Sequence, residues 1–175
     1  MGNTSQRKLN KALMIALKLG QLDQAEALLQ RSADVNGQHR WTMSDINCPA
    51  LVAIERDDTK MLELLIKYGL DINKPIKYKN YHMPPIMMCM KLKKYRNLKL
   101  LAENINIDLN VGGTAVIIKR SIGNNLLWSF SSASAYAQLS ADDKSLDIIN
   151  EAQSVREQKI RAKKQQKIRK AKFGF

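Results

Sequence analysis

One phrase recurs at a fixed interval, and it constrains the fold more than any other feature of the chain. Ala33-Asp34-Val35-Asn36 returns as Leu70-Asp71-Ile72-Asn73, then as Ile107-Asp108-Leu109-Asn110, so that Asp34, Asp71 and Asp108 stand 37 residues apart. A period of this size signals stacked supersecondary units, none of which buries its apolar face alone. Each phrase follows a similar stretch: an apolar-spaced segment, a polar turn, then a second segment ending in a leucine pair. The stretches are Leu13 to Arg31, Pro49 to Tyr68 and Pro85 to Asn104, and the pairs are Leu28-Leu29, Leu64-Leu65 and Leu100-Leu101. These spacings put one apolar stripe on each of two short helices. Neither helix is long enough to be stable in isolation, so the pairs must stack. Leu28, Leu65, Leu100, Ala16 and Ala53 are the residues expected between the layers.

The pattern resembles the ankyrin repeat. That family opens on Thr-Pro-Leu-His, turns at a Gly between two helices, and closes on Gly-Ala-Asp-Val-Asn. Leu13 to Asn36 fits without a gap, with Ala16 at the small inner-helix site and Gly20 at the turn. Cys48 to Asn73 fits as well, with Pro49, Ala53 and Gly69 in place. Pro85 to Asn110 needs one extra residue before Asp108 and has Lys93 where the turn wants Gly. The resemblance covers roughly residues 9–118. It implies an all-α fold: a short helical solenoid of three to four repeats with elongated fingers, followed by a C-terminal basic helix. The fingers are expected to be long because the interval of 37 exceeds the family's period of about 33. The extra residues fall in Gly37 to Cys48 and Lys74 to Pro84, and surface loops tolerate insertion at little entropic cost.

The fourth unit is less regular. Val111 to Thr114 reads as a short third finger, Thr114 to Ile122 as an inner helix, and Leu126 to Phe130 as an outer one. Ser131 to Ser140 reads as a linker or a loosely packed helix. Ser140 to Asp143 reads as a capping-box start, after which nothing breaks a helix until about Lys172. Leu146, Ile149, Ala152 and Val155 are placed to face the last repeat. The expected division is residues 1–122 for the repeats, 123–154 for a divergent last repeat or capping region, and 155–175 for a basic helical tail. Truncation after Val155 is expected to leave folding nearly intact.

The charge of +13 comes from two blocks. Residues 74–99 hold eight basic residues and no acidic one, and residues 155–175 hold nine against one. Residues 1–73 are neutral and 100–154 mildly acidic. Such an excess favours acidic partners. Two cysteines without a Cys-x-x-Cys imply no disulfide framework, which makes an intracellular, cytoplasmic setting the default. The apolar run Ala12 to Leu17 is too short for a signal segment, and no stretch approaches a membrane span. Met1-Gly2 is followed by Gln6 where an N-myristoylation motif wants Ser or Thr.

No catalytic constellation stands out, no cofactor is implied, and no enzyme is expected. His39 with Cys48 and His82 with Cys89 have a zinc-like composition, but Cys48 falls at the Thr opening site and Cys89 at a small core-facing site, so structural cysteines account for them. The candidate binding residues lie in the fingers: Arg40, Trp41, Lys77, Tyr78, Lys79, Tyr81 and His82. Arg40-Trp41 and Lys77-Tyr78 sit at the same offset from Asn36 and Asn73, and aromatic rings beside cations are typical of interface anchors. The same rings could instead cover neighbouring helices. In the tail, Lys159, Arg161, Lys163, Lys164, Lys167, Arg169, Lys170, Phe173 and Phe175 form a second candidate contact. The ankyrin resemblance implies a non-catalytic module, monomeric alone, that binds a protein through fingers and concave face. A small module of this kind suits an adaptor, or a bacterial or viral protein acting on a host factor. The alternative is a nucleic-acid or nucleoprotein binder using Lys74 to Lys99 and the tail.

Overall fold

The computed structural model describes residues 3–37, 39–40, 46–78, 81–104, 106–109, 113–118, 125–130 and 132–173. Among them are four antiparallel helix pairs: α1 (Asn3–Leu19) with α2 (Leu22–Gln30), α3 (Pro49–Arg56) with α4 (Thr59–Lys67), α5 (Pro85–Lys91) with α6 (Tyr95–Glu103), and α7 (Ala133–Leu139) with α8 (Asp143–Phe173). The inner helices α1, α3, α5 and α7 pack in sequence, and α4, α6 and α8 follow them on the outer layer. Local chemistry sets the ends. Proline occupies the first turn of α3 and α5, where its missing N–H is no loss. Asp58 caps α4 by accepting from Met61 N at 3.0 Å, and Ser132 caps α7 through Ala135 N at 3.1 Å. Asp142 accepts from Ser145 N (3.3 Å) and from Ser145 Oγ (2.6 Å) and so caps the long helix, two residues after the expected Ser140, which instead ends α7 and donates to Ala137 O.

Each helix pair turns through one residue in the left-handed region: Gly20 (φ 74°), Asp57 (φ 52°), Lys93 (φ 54°) and Ala141 (φ 49°). Only the first is a glycine. Asp57 compensates, since its carboxylate accepts from Asn97 N at 3.1 Å and Arg96 Nε at 3.4 Å in the next repeat. Lys93 carries no carboxylate with which to bond the next turn in this way, and its left-handed backbone costs about 1 kcal/mol. Lys93→Gly is therefore expected to raise the unfolding free energy by about 1 kcal/mol in denaturant titration. An unchanged or lower value would contradict the strain.

The recurring Asp-x-Asn phrase has two jobs. Asp34 Oδ1 accepts from Asn36 N (2.9 Å), and Asp71 Oδ1 from Asn73 N (3.0 Å), so each aspartate folds its own turn. The asparagines knit one repeat to the next. Asn36 donates to Gly69 O (2.9 Å) and accepts from Asp71 N (2.8 Å). Asn73 donates to Asn106 O (2.9 Å) and accepts from Asp108 N (2.8 Å). At the N-terminal end, helix α1 supplies the same rung from two side chains. Gln6 donates to Ser32 O (2.9 Å) and Asn10 accepts from Asp34 N (2.9 Å). The interval is constant because a slip of one residue would break a reciprocal pair of bonds.

The core runs through the stack. Leu28, Leu65, Ala16 and Ala53 are buried as expected. Leu100 is not: it is half-buried, and its neighbour Leu101 occupies the core. Helix α6 lies 36 residues beyond α4, one short of the loop interval, so the second leucine of the pair matches Leu65. The extra residue before Asp108 restores the loop's register. Cys48 and Cys89 are both buried, and burial pushes the Cys48 thiol up to about 11 and raises that of Cys89 further.

The segment after Asn110 differs from expectation. In place of helices at Thr114 to Ile122 and Leu126 to Phe130 there is a hairpin, β5 (Gly113–Ile118) with β6 (Asn125–Phe130). The physical reason is composition: Ala115-Val116-Ile117-Ile118 and Leu126-Leu127-Trp128 are short apolar runs rich in β-branched and aromatic residues, and a run this short does not distinguish helix from strand by periodicity. This hairpin is the third finger. Residue 122, the expected limit of the repeats, lies between its two strands. The fourth inner helix is α7, within the small-residue stretch; Ala133, Tyr136 and Ala137 are buried, so it is a packed element. Ile149 and Ala152 of α8 are buried and Leu146 packs against the core, whereas Val155 is 43% exposed.

Candidate protein-recognition surface

The fingers are β-hairpins. β1 (His39–Arg40) pairs with β2 (Ile46–Asn47), and β3 (Ile76–Tyr78) pairs with β4 (Tyr81–Met83). The elongation has a structural consequence: the second and third fingers join edge to edge. β4 pairs with β5, which makes one four-stranded antiparallel sheet in the order β3-β4-β5-β6, and β2 of the first finger touches β3. Residues directly opposite in an antiparallel ladder share a face. The register therefore sets Lys77, His82, Thr114 and Ser129 in one row, and Tyr78, Tyr81, Ala115 and Trp128 in the next. Lys77 and His82 are exposed. Ile76 and Met83, the pair preceding them, are buried at 3% and 0% exposure and root the sheet in the core.

The candidate residues are thus brought together unevenly. Lys77, Tyr78, Tyr81 and His82 are neighbours on paired strands, and Arg40 stands opposite Ile46 in the separate first hairpin. Trp41, Lys79 and Phe175 lie outside the described residues. Tyr78 is half-buried and packs against the hydrophobic core, so its ring covers helices at least in part. The inner helices α3 and α5 leave little room for a partner. Every residue from Pro49 to Ile54 and from Pro85 to Met90 is buried.

The basic block 74–99 divides. Lys77 stands on the finger sheet, while Lys91, Lys93, Arg96 and Lys99 surround the α5–α6 turn and the outer helix. Arg96 pairs with Asp57 at 3.4 Å and Lys99 with Glu103 at 3.8 Å. In the tail, Lys159, Arg161, Lys163 and Lys164 are exposed on α8, and Lys167, Arg169, Lys170 and Phe173 belong to the same helix. A cleft of about 240 Å³ separates α6 from α8 near Arg156, but Glu103 and Glu151 line it beside Lys99 and Lys159, so it has no strong preference for an anion.

One anchoring residue escapes a reading by residue type. Arg156 donates to Ala102 O and Ile107 O at 3.0 Å each, and to Asn104 O. It closes the C-terminal end of α6, whose last carbonyls lack partners within the helix. Desolvation lowers its pKa from the ordinary value. Its position, seven residues after Ile149 and four after Ala152, continues the buried stripe of α8, and that spacing is the signal in the sequence.

Helix pairs closed by left-handed turns, stacked through reciprocal asparagine bonds and bearing hairpins at their bases, define a helical-repeat scaffold. The family model for ankyrin repeats, in three copies, matches residues 13–112, and the chain belongs to the ankyrin-repeat family. The fourth helix pair lies beyond the matched residues. No curated protein matches the chain. Ankyrin repeats are generally protein–protein interaction modules and typically non-catalytic. No described helix is long and apolar enough to cross a membrane.

Proposed function

We propose that the protein is a non-catalytic recognition module, monomeric alone, whose partner is a protein bound across the finger sheet. The observation that carries this reading is the fusion of two fingers into one sheet, with Lys77 and His82 adjacent and exposed, beside inner helices that are already covered. A paired sheet holds contact residues in fixed register, so little ordering entropy is lost on binding. Arg40 of the first finger and Tyr81 on the strand beside Lys77 are further candidate contacts, and Trp41 and Lys79 are candidates by their place in the sequence alone. The partner that fits presents acidic groups to Lys77. Such a module serves as an adaptor, or as a bacterial or viral protein acting on a host factor, in an intracellular, cytoplasmic setting. The division of the 74–99 block into two places weighs against a single nucleic-acid groove there.

The test is affinity capture from nuclease-treated lysate with the unaltered protein and with Lys77→Ala/His82→Ala. Both residues are exposed, so the melting temperature should move little, while capture of the specific partners should fall at least about tenfold. Identical capture by the two proteins would move the binding face elsewhere. Loss of all partners on nuclease treatment alone would replace a protein partner with a nucleic acid. Tyr78→Ala is the wrong probe, because its ring also packs against the core.

A further inference from the structure

Helix α8 changes character along one face. With about 100° of rotation per residue, Ser145, Ile149, Ala152 and Arg156 share an arc of about 60°. The first three are buried, and Arg156 is bonded to the end of α6 and the loop after it. The same arc continues through positions 159, 163, 167 and 170, all of them lysines in this helix. The face that packs on the solenoid thus becomes, past its edge, an unbroken row of cations. The described side chains from Glu157 to Gln166, with Ile168, are exposed. Glu157 is the only carboxylate side chain after Glu151, and it lies within 3.5 Å of Arg161 rather than on the lysine row. The row spans about 16 Å at 1.5 Å per residue, and the bonded Arg156 stands at its root.

We infer that this row is a binding site for the phosphate backbone of a nucleic-acid duplex, separate from the finger sheet and independent of the reading proposed for it. Lysine is a point charge suited to phosphate, and a row of lysines with no apolar side chain in it offers a protein partner no core to bury. A membrane surface would need an apolar face, and Ile160 and Ile168 lie off the row and apart from each other. A single strand would need rings between the cations on which to stack bases, and no aromatic residue stands among the lysines of the row, Phe173 coming only after them. What remains is a straight charged rail. At about 3.4 Å per phosphate along one strand, the row matches about five phosphates of a duplex edge. Contact with the backbone alone predicts little dependence on base sequence.

The probe is a blunt 20-base-pair DNA duplex, with an RNA duplex, a single strand and poly-glutamate as separate arms, followed by fluorescence anisotropy over a series of salt concentrations. Two triple variants remove equal charge: Lys159→Gln/Lys163→Gln/Lys167→Gln on the row, and Lys164→Gln/Arg169→Gln/Lys172→Gln off it. The row variant should bind duplex at least tenfold more weakly and flatten the slope of log affinity against log salt by about 2–3. The off-row variant should lose less than about threefold, and Lys77→Ala/His82→Ala should lose nothing. The stronger of the two duplex arms names the source of the phosphate. Equal losses in the two triple variants at unchanged helix content by circular dichroism would overturn the inference, as would poly-glutamate or the single strand binding as tightly as duplex, or no duplex binding at low salt.

Discussion

Leu65→Ala should lower the free energy of unfolding by about 2–5 kcal/mol, read from denaturant titration of the helical signal. Leu65 is fully buried on α4, between the inner helices and the outer helices on either side. Removing three carbon atoms there costs their transfer energy and leaves a cavity that rigid neighbouring repeats cannot collapse. Leu100→Ala is the control. By position in the leucine pairs Leu101 is the counterpart of Leu65 and fills the core, whereas Leu100, the counterpart of Leu64, is only half-buried. Its replacement should cost about 1 kcal/mol or less. Equal losses at the two sites would mean that the one-residue offset of α6 is wrong.

Arg156→Met should cost about 2–4 kcal/mol, because three carbonyls, at the end of α6 and in the loop after it, lose a charged donor together. Methionine keeps the length of the apolar stem, so the change isolates the guanidinium. Truncation after Val155 should give a similar loss, whereas truncation after Gln158 should leave stability nearly unaltered. This departs from the expectation that everything beyond Val155 is dispensable. The working boundary between packed helix and projecting helix lies just beyond Arg156, where exposure becomes continuous at Glu157. Thermal melting of the two truncations decides it: equal melting temperatures would show that Arg156 closes nothing.

Parts of this architecture are legible in the chain of residues alone. The 37-residue interval and the prolines at α3 and α5 are local signals, each tied to one backbone requirement. Lys93 reads as a glycine site occupied by the wrong residue, and it does adopt φ 54°. The third finger is not legible in this way, because its strands are apolar runs of six residues whose pairing with Tyr81 and His82 comes from more than thirty positions away. For the same reason the candidate surface can be named residue by residue but not assembled. Equal offsets from Asn36 and Asn73 say where Arg40 and Lys77 leave the repeat, not which strands lie beside them.

The repeat, its period and its closing turn follow from local chemistry, since an aspartate folds its own loop and the asparagine two places on needs a partner at a constant distance along the chain. Packing between repeats settles the rest: the second and third fingers become one sheet, Leu101 rather than Leu100 is core, and α8 is bound to the solenoid through Arg156 before it projects. Each of these depends on which groups meet across repeats. Backbone edges, half-buried leucines and unpaired carbonyls are chemically alike along a chain, and their partners are chosen by the geometry of stacking.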